Sequence, residues 1–180
     1  MRKALLLPAF LVCILCPARL SAQDALTPAN LPGFLARFDQ NFSFVEEVYT
    51  DLANEKLPVH DTQGQPLSRR PIEDRRRVIS ALRQISREVA GNPQCLVVVA
   101  KLVLQTEELA DDLFDLAQIA YDNDREDLGR RLAVAQTTME QNKDLLADYL
   151  LALAAEKDER LKKLEKENAE LQLRIKPATP

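Results

Sequence analysis

The chain has no tryptophan, one histidine and four glycines in 180 residues. With His60 as its only histidine, it cannot build a metal centre on several imidazoles, including the paired Glu-x-x-His sites of di-iron bundles. No Cys-x-x-Cys-His is present to attach a haem covalently. So few glycines, without tryptophan, argue against a turn-rich or sheet-rich chain and favour long helices. Cysteine is equally sparse. Cys13 and Cys16 lie in the first segment, leaving Cys95 alone in the rest of the chain.

That first segment is expected to be a secretory signal. Arg2 and Lys3 precede an apolar stretch from Ala4 to Cys16, and a short polar exit reaches Ala22, the expected cleavage point. The stretch is too short for a comfortable membrane span, and no span is expected after its removal. Arg2, Lys3 and Arg19 leave with it, so 24 basic residues become 21 against 28 acidic ones, a net charge of about −7. An acidic exported chain of this kind is not expected to bind nucleic acid. Its expected location is the periplasm or the medium.

What is present is helical periodicity, which predicts an all-α, antiparallel four-helix bundle with a long C-terminal helix projecting as a short coiled coil. Residues 23–30 are expected as a flexible lead-in. Leu31, Leu35, Phe38, Phe42, Val45, Tyr49 and Leu52 line one face of a helix over about 31–56, with Pro32 in its first turn. Asp61 and Gly64 then suit a tight turn. A second helix over 71–90 presents Ile72, Val78, Ile79, Leu82, Ile85 and Val89. At Gly91-Asn92-Pro93 the glycine is expected to cap that helix, and Asn92 and Pro93 to begin a third over 93–121. The third repeats apolar residues from Val99 to Ala120, and its early "CLVVVAKLVL" predicts deep burial of that end.

Charge supports a hairpin of the second and third helices. Arg69, Arg70, Arg75, Arg76 and Arg77 cluster at the start of one; Glu107, Glu108, Asp111, Asp112 and Asp115 lie toward the end of the other. Folding about Asn92 places Arg77 level with Glu107 and Arg69 level with Asp115, so Arg69, Arg70, Arg76 and Arg77 are expected to pair with Glu107, Glu108, Asp111 and Asp115. An anion site at the arginines is the weaker reading, because acids neutralise them.

A fourth helix is expected from Asp124, as N-cap, to residue 176, with residues 177–180 a disordered tail. Gly129 is a weak spot near its start. Leu132, Ala135, Met139, Asn142, Leu146, Leu150 and Leu153 complete the bundle over 124–153. "AAEKDER" then interrupts the pattern, and over 154–176 a new seam runs through Leu161, Leu164, Asn168, Leu171 and Ile175 at spacings of three and four. Asn168 at an a position suits a parallel homodimer, in which Arg160 would face Glu165 of the other chain. An envelope or secreted protein is the other partner considered.

No constellation for catalysis emerges, and no cofactor or metal is expected. Asp122 to Asp127 lack the glycine and glutamate of an EF-hand loop, and His60 has no placed nucleophile beside it. Cys95, third in the expected helix, could be a buried apolar residue, a disulfide partner or a reactive thiol. The function expected is an exported, non-catalytic helical interaction module that self-associates through its C-terminal helix. The alternative is a holdase-type chaperone using the aromatic face Phe34, Phe38, Phe42 and Phe44 as an apolar groove.

Overall fold

The computed structural model describes residues 25–54, 59–61, 63–65 and 69–175, with the side chains of 69–72 and 175 outside the description. The expected signal segment and the tail 177–180 lie outside the described residues. Four helices make the fold: α1 (Leu31–Ala53), α2 (Arg69–Gly91), α3 (Leu96–Asp122) and α4 (Glu126–Ile175). They form an antiparallel bundle in which α1 packs on α2, α2 on α3 and α3 on α4, while α4 closes loosely back onto α1.

Amphipathic stripes explain the packing. All seven residues of the α1 seam are buried, and Phe38 meets Phe42 edge-on with ring centroids 4.8 Å apart. Ile79, Leu82 and Val89 of α2 and Val99, Leu102, Leu109, Leu113, Leu116 and Ala120 of α3 join the same core. Thr106 is the polar member of the α3 stripe, and it stays satisfied by donating its hydroxyl hydrogen to the Leu102 carbonyl at 2.7 Å.

Several local details differ from expectation, each for a visible reason. Residues 25–30 are no flexible lead-in: Leu26 is buried, and the Asn30 side-chain oxygen accepts the Thr27 N–H at 2.7 Å, fixing the entry to α1. The α2–α3 connection is longer than Gly91-Asn92-Pro93 suggested. Gly91 is the last residue of α2 and has no positive φ, Pro93 and Gln94 form a turn, and Cys95 is the N-cap of α3. Cys95 is therefore half-buried outside the first turn and is not a third-position helical cysteine. The early part of α3 is also not buried all round, since Val97 and Leu104 are each 63% exposed. Its two neighbours, α2 and α4, cover only one side of α3, and a seven-residue step returns to the same outer stripe.

The α3–α4 connection uses Asp124 differently from the expected N-cap. Asp124 has φ 55°, its N–H reaches the Tyr121 carbonyl at 3.1 Å, and the Arg125 N–H reaches Ala120 at 2.9 Å. This is a Schellman closure of α3 with aspartate in the left-handed position usually held by glycine. Gly129 has a packing role: a Cβ there would lie 2.8 Å from the Tyr121 ring, which rests on the α4 backbone. In the connector after α1, the Asp61 carboxylate accepts the N–H groups of Gln63 and Gln65, and Gly64 has φ 76°, the tight turn the sequence predicted.

Candidate functional site

α4 spans 50 residues and α3 only 27, so the antiparallel pair cannot cover all of α4. Its last buried residue is Leu153, 4% exposed, and every described residue from 154 to 174 is exposed. The extension past Leu153 is about 33 Å long at 1.5 Å per residue.

The base of this extension is anchored. Tyr149 is 2% exposed and its hydroxyl donates to the Pro93 carbonyl at 2.9 Å, tying α4 to the α2–α3 connection at the end of the bundle. Burial, with the charge of Glu156 nearby, pushes the Tyr149 phenol above its ordinary range. The helix therefore leaves the bundle from a fixed point.

Along the extension, Leu161 is 59% exposed, Leu164 46% and Leu171 51%, at the expected seam spacing, and Asn168 lies between them in the same stripe. Seam position 175 falls outside the described side chains. Away from the seam, Lys162 pairs with Asp158 at 2.7 Å and with Glu159 at 3.4 Å, and Lys163 reaches Glu167 at 4.0 Å. Such i,i+3 and i,i+4 pairs support an isolated helix by only a few tenths of a kcal/mol each, about 0.2–0.5. Among the described residues neither Arg160 nor Glu165 has an ion pair within the chain.

The charges expected between α2 and α3 are distributed differently. Arg77 pairs with Asp74 of its own helix at 2.8 Å, Glu107 reaches Lys143 of α4 at 4.0 Å, and Glu108 accepts from Gln105 at 2.6 Å. The α2–α3 bridge is made by Arg75 and Asp112, at 2.5 Å. Asp111 and Asp115 flank it with no ion pair among the described residues, Arg76 is exposed and likewise unpaired there, and the Arg69 and Arg70 side chains fall outside the description. The cause is the longer connection: folding about 91–96 instead of Asn92 shifts the level positions by about three residues. Arg77, two positions from Arg75, then points about 200° away from it, into solvent.

Arg75 and Asp112 join a third residue that charge patterning could not disclose. Tyr49, fully buried, donates its hydroxyl to the other Asp112 oxygen at 2.5 Å, linking α1, α2 and α3 at one end of the core. Burial first, and then the adjacent carboxylate, push the Tyr49 phenol far above its ordinary range. Arg83 makes the matching link on the α1–α2 side, pairing with Glu46 and, at 2.8 Å, with Asp39. Donating a hydrogen bond to the Glu46 carboxylate raises the Arg83 pKa further, so this guanidinium remains a fixed cation.

The remaining candidates carry structure. His60 donates its backbone N–H to the Asn123 side-chain oxygen at 3.1 Å, and its carbonyl accepts from the Asn123 amide at 2.7 Å, so the pair pins the connector to the end of α3. Phe34, Phe38 and Phe42 are core residues, and Phe44 is half-buried with the Arg131 guanidinium 4.5 Å above its ring. Of the four rings of the expected aromatic face, three are thus turned into the core and only Phe44 reaches an open edge. The loose α1–α4 edge forms a cavity of about 470 Å³ with Phe44, Val134 and Met139 on its wall and Arg130 and Arg131 beside it. No helix among the described residues is long and apolar enough to cross a membrane, and no cluster of metal-ligating side chains occurs among them. Comparison with protein families, with curated proteins and with solved structures found no match to this chain.

Proposed function

We propose that this protein is an exported, non-catalytic helical interaction module that self-associates through the α4 extension. One observation carries the reading: beyond Leu153, α4 continues as a helix whose seam leucines, 46–59% exposed, have no covering element among the described residues. A stripe of this spacing gains stability only against another helix, since isolated helices of this length are marginal in water. Export rests on the basic and apolar start of the chain, Arg2 to Cys16.

Light scattering on a sizing column, comparing the full chain with one ending at Leu153, tests the association. Removing residues 154–180 deletes no described buried side chain, so the shortened bundle keeps its core. A dimer that becomes a monomer on truncation is the expected result. A monomeric full chain at high micromolar concentration would overturn self-association.

A further inference from the structure

Building on that self-association, we infer that two α4 extensions pair antiparallel, not in the parallel register that Asn168 suggested. The argument begins with the direction of the seam. At about 100° per residue, positions 161, 164, 168, 171 and 175 point within about 40° of the core stripe Leu132, Met139, Leu146 and Leu153. The extension thus shows its apolar side in the direction that the rest of the bundle occupies.

The bundle fills that side up to the point of departure. The Tyr149–Pro93 hydrogen bond and the burial of Leu153 place the α2–α3 connection at the base of the extension. In a parallel pair both bundles would lie between the two α4 helices at the same height. Paired helices stand about 8–10 Å apart, whereas each bundle adds further helices about 10 Å thick on that inner side. Only about 12 Å of helix separates Leu153 from Leu161, too little for the two chains to diverge by several helix diameters. With the helices antiparallel, each bundle lies beyond the other extension's tip and the inner side is free.

Charge then selects the register. In an antiparallel pair each a position faces a d position, and registers that satisfy this recur every seven residues. Two of them keep both tips clear of the opposite bundle while bringing more than one a–d layer into contact. One sets position 164 beside position 168 of the second copy, which brings Arg160 against Arg174 and Glu167 against Glu167, all like charges. The other sets 164 beside 175 and 168 beside 171, and brings Glu167 of each copy against Arg174 of the other, twice along one edge. The second register is therefore the one assigned.

Spin labels at residue 157 test this in the full chain, as Lys157→Cys with Cys13→Ser, Cys16→Ser and Cys95→Ser. The expected result is a dimeric mass with an intermolecular label distance of about 40 Å, from 25 residues of axial offset at about 1.5 Å each. A dimer with labels under about 20 Å apart would overturn the antiparallel arrangement while leaving self-association in place; one near 30 Å would overturn the register. A monomer would overturn both proposals. Independently, Arg174→Glu should weaken the dimer several-fold and added Glu167→Arg should restore it, because the parallel form gives Arg174 no charged neighbour. An unchanged dimer constant in Arg174→Glu would also sink the register.

Discussion

In the first half of α4, Leu132, Met139, Leu146 and Leu153 are 0–4% exposed; in the second, Leu161, Leu164 and Leu171 are 46–59% exposed. Both sets step along the helix by the same kind of interval, on nearly the same side. The difference lies outside α4. α3 and the α2–α3 connection reach as far as Tyr149 and Leu153, where the Pro93 carbonyl marks the end of the bundle, and among the described residues only α4 itself continues past it. Identical patterning therefore specifies a core in one place and an unsatisfied surface in another, according to what the remaining chain can supply.

The sharpest way to break this comparison is one substitution in each half. Leu146→Ala should cost the bundle about 3 kcal/mol in chemical denaturation, through lost transfer energy and the cavity left behind. Leu164→Ala, measured at a dilution where light scattering finds a monomer, should shift it by less than about 0.5 kcal/mol. Equal costs would mean that the extension folds back onto its own bundle.

Alkali separates the halves next. The folded-state pKa of Tyr49 lies above its unfolded value of 10.0, because burial and Asp112 disfavour the phenolate. The stability it contributes is fully present below pH 10 and is lost as pH rises beyond it, by about 1.4 kcal/mol per pH unit while only the unfolded state ionises. Denaturation midpoints of the wild type should fall faster above pH 10 than those of Tyr49→Phe; parallel slopes would contradict this. No such buried group exists among the described residues of the extension.

The smallest effect sharpens the comparison from the bundle side. Asp124→Gly should stabilise the bundle by about 1 kcal/mol by removing the left-handed strain of a side-chain-bearing residue. It should leave the dimer constant unchanged, since the Schellman closure lies at the end of the bundle away from the extension. A coupled change in association would show that the two halves are not independent.

Much of the architecture was legible because it depends on period alone. The burial of Leu31 through Leu52 and the end of the apolar core at Leu153 follow from where apolar residues recur. What the pattern could not yield depends on connections. The number of residues between α2 and α3 decides whether Arg75 or Arg77 meets α3, and composition at Gly91-Asn92-Pro93 suits either outcome. The spacing of Tyr49 marks it as core, but its hydrogen bond to Asp112 joins positions 63 apart and depends on the depth of α1 in the bundle. Val97 and Leu104 look like core residues in a run of apolar letters and sit on the outer stripe of α3 once its neighbours are placed. The extension shows the same limit: the seam is written in the sequence, but the direction it faces relative to the bundle is a property of the folded chain.

That α4 is one uninterrupted helix has a mechanical consequence. Beyond Gly129 it contains neither glycine nor proline through Ile175, so no hinge residue divides bundle from extension. A sideways force at the tip is transmitted as torque about the anchored base at Tyr149, and its arm is the extension's roughly 33 Å. The α3–α4 face is the broadest contact and resists; the loose α1–α4 edge, where the cavity beside Phe44 lies, is the joint that yields first. A sideways load on the tip would be felt as an opening on the opposite flank of the bundle.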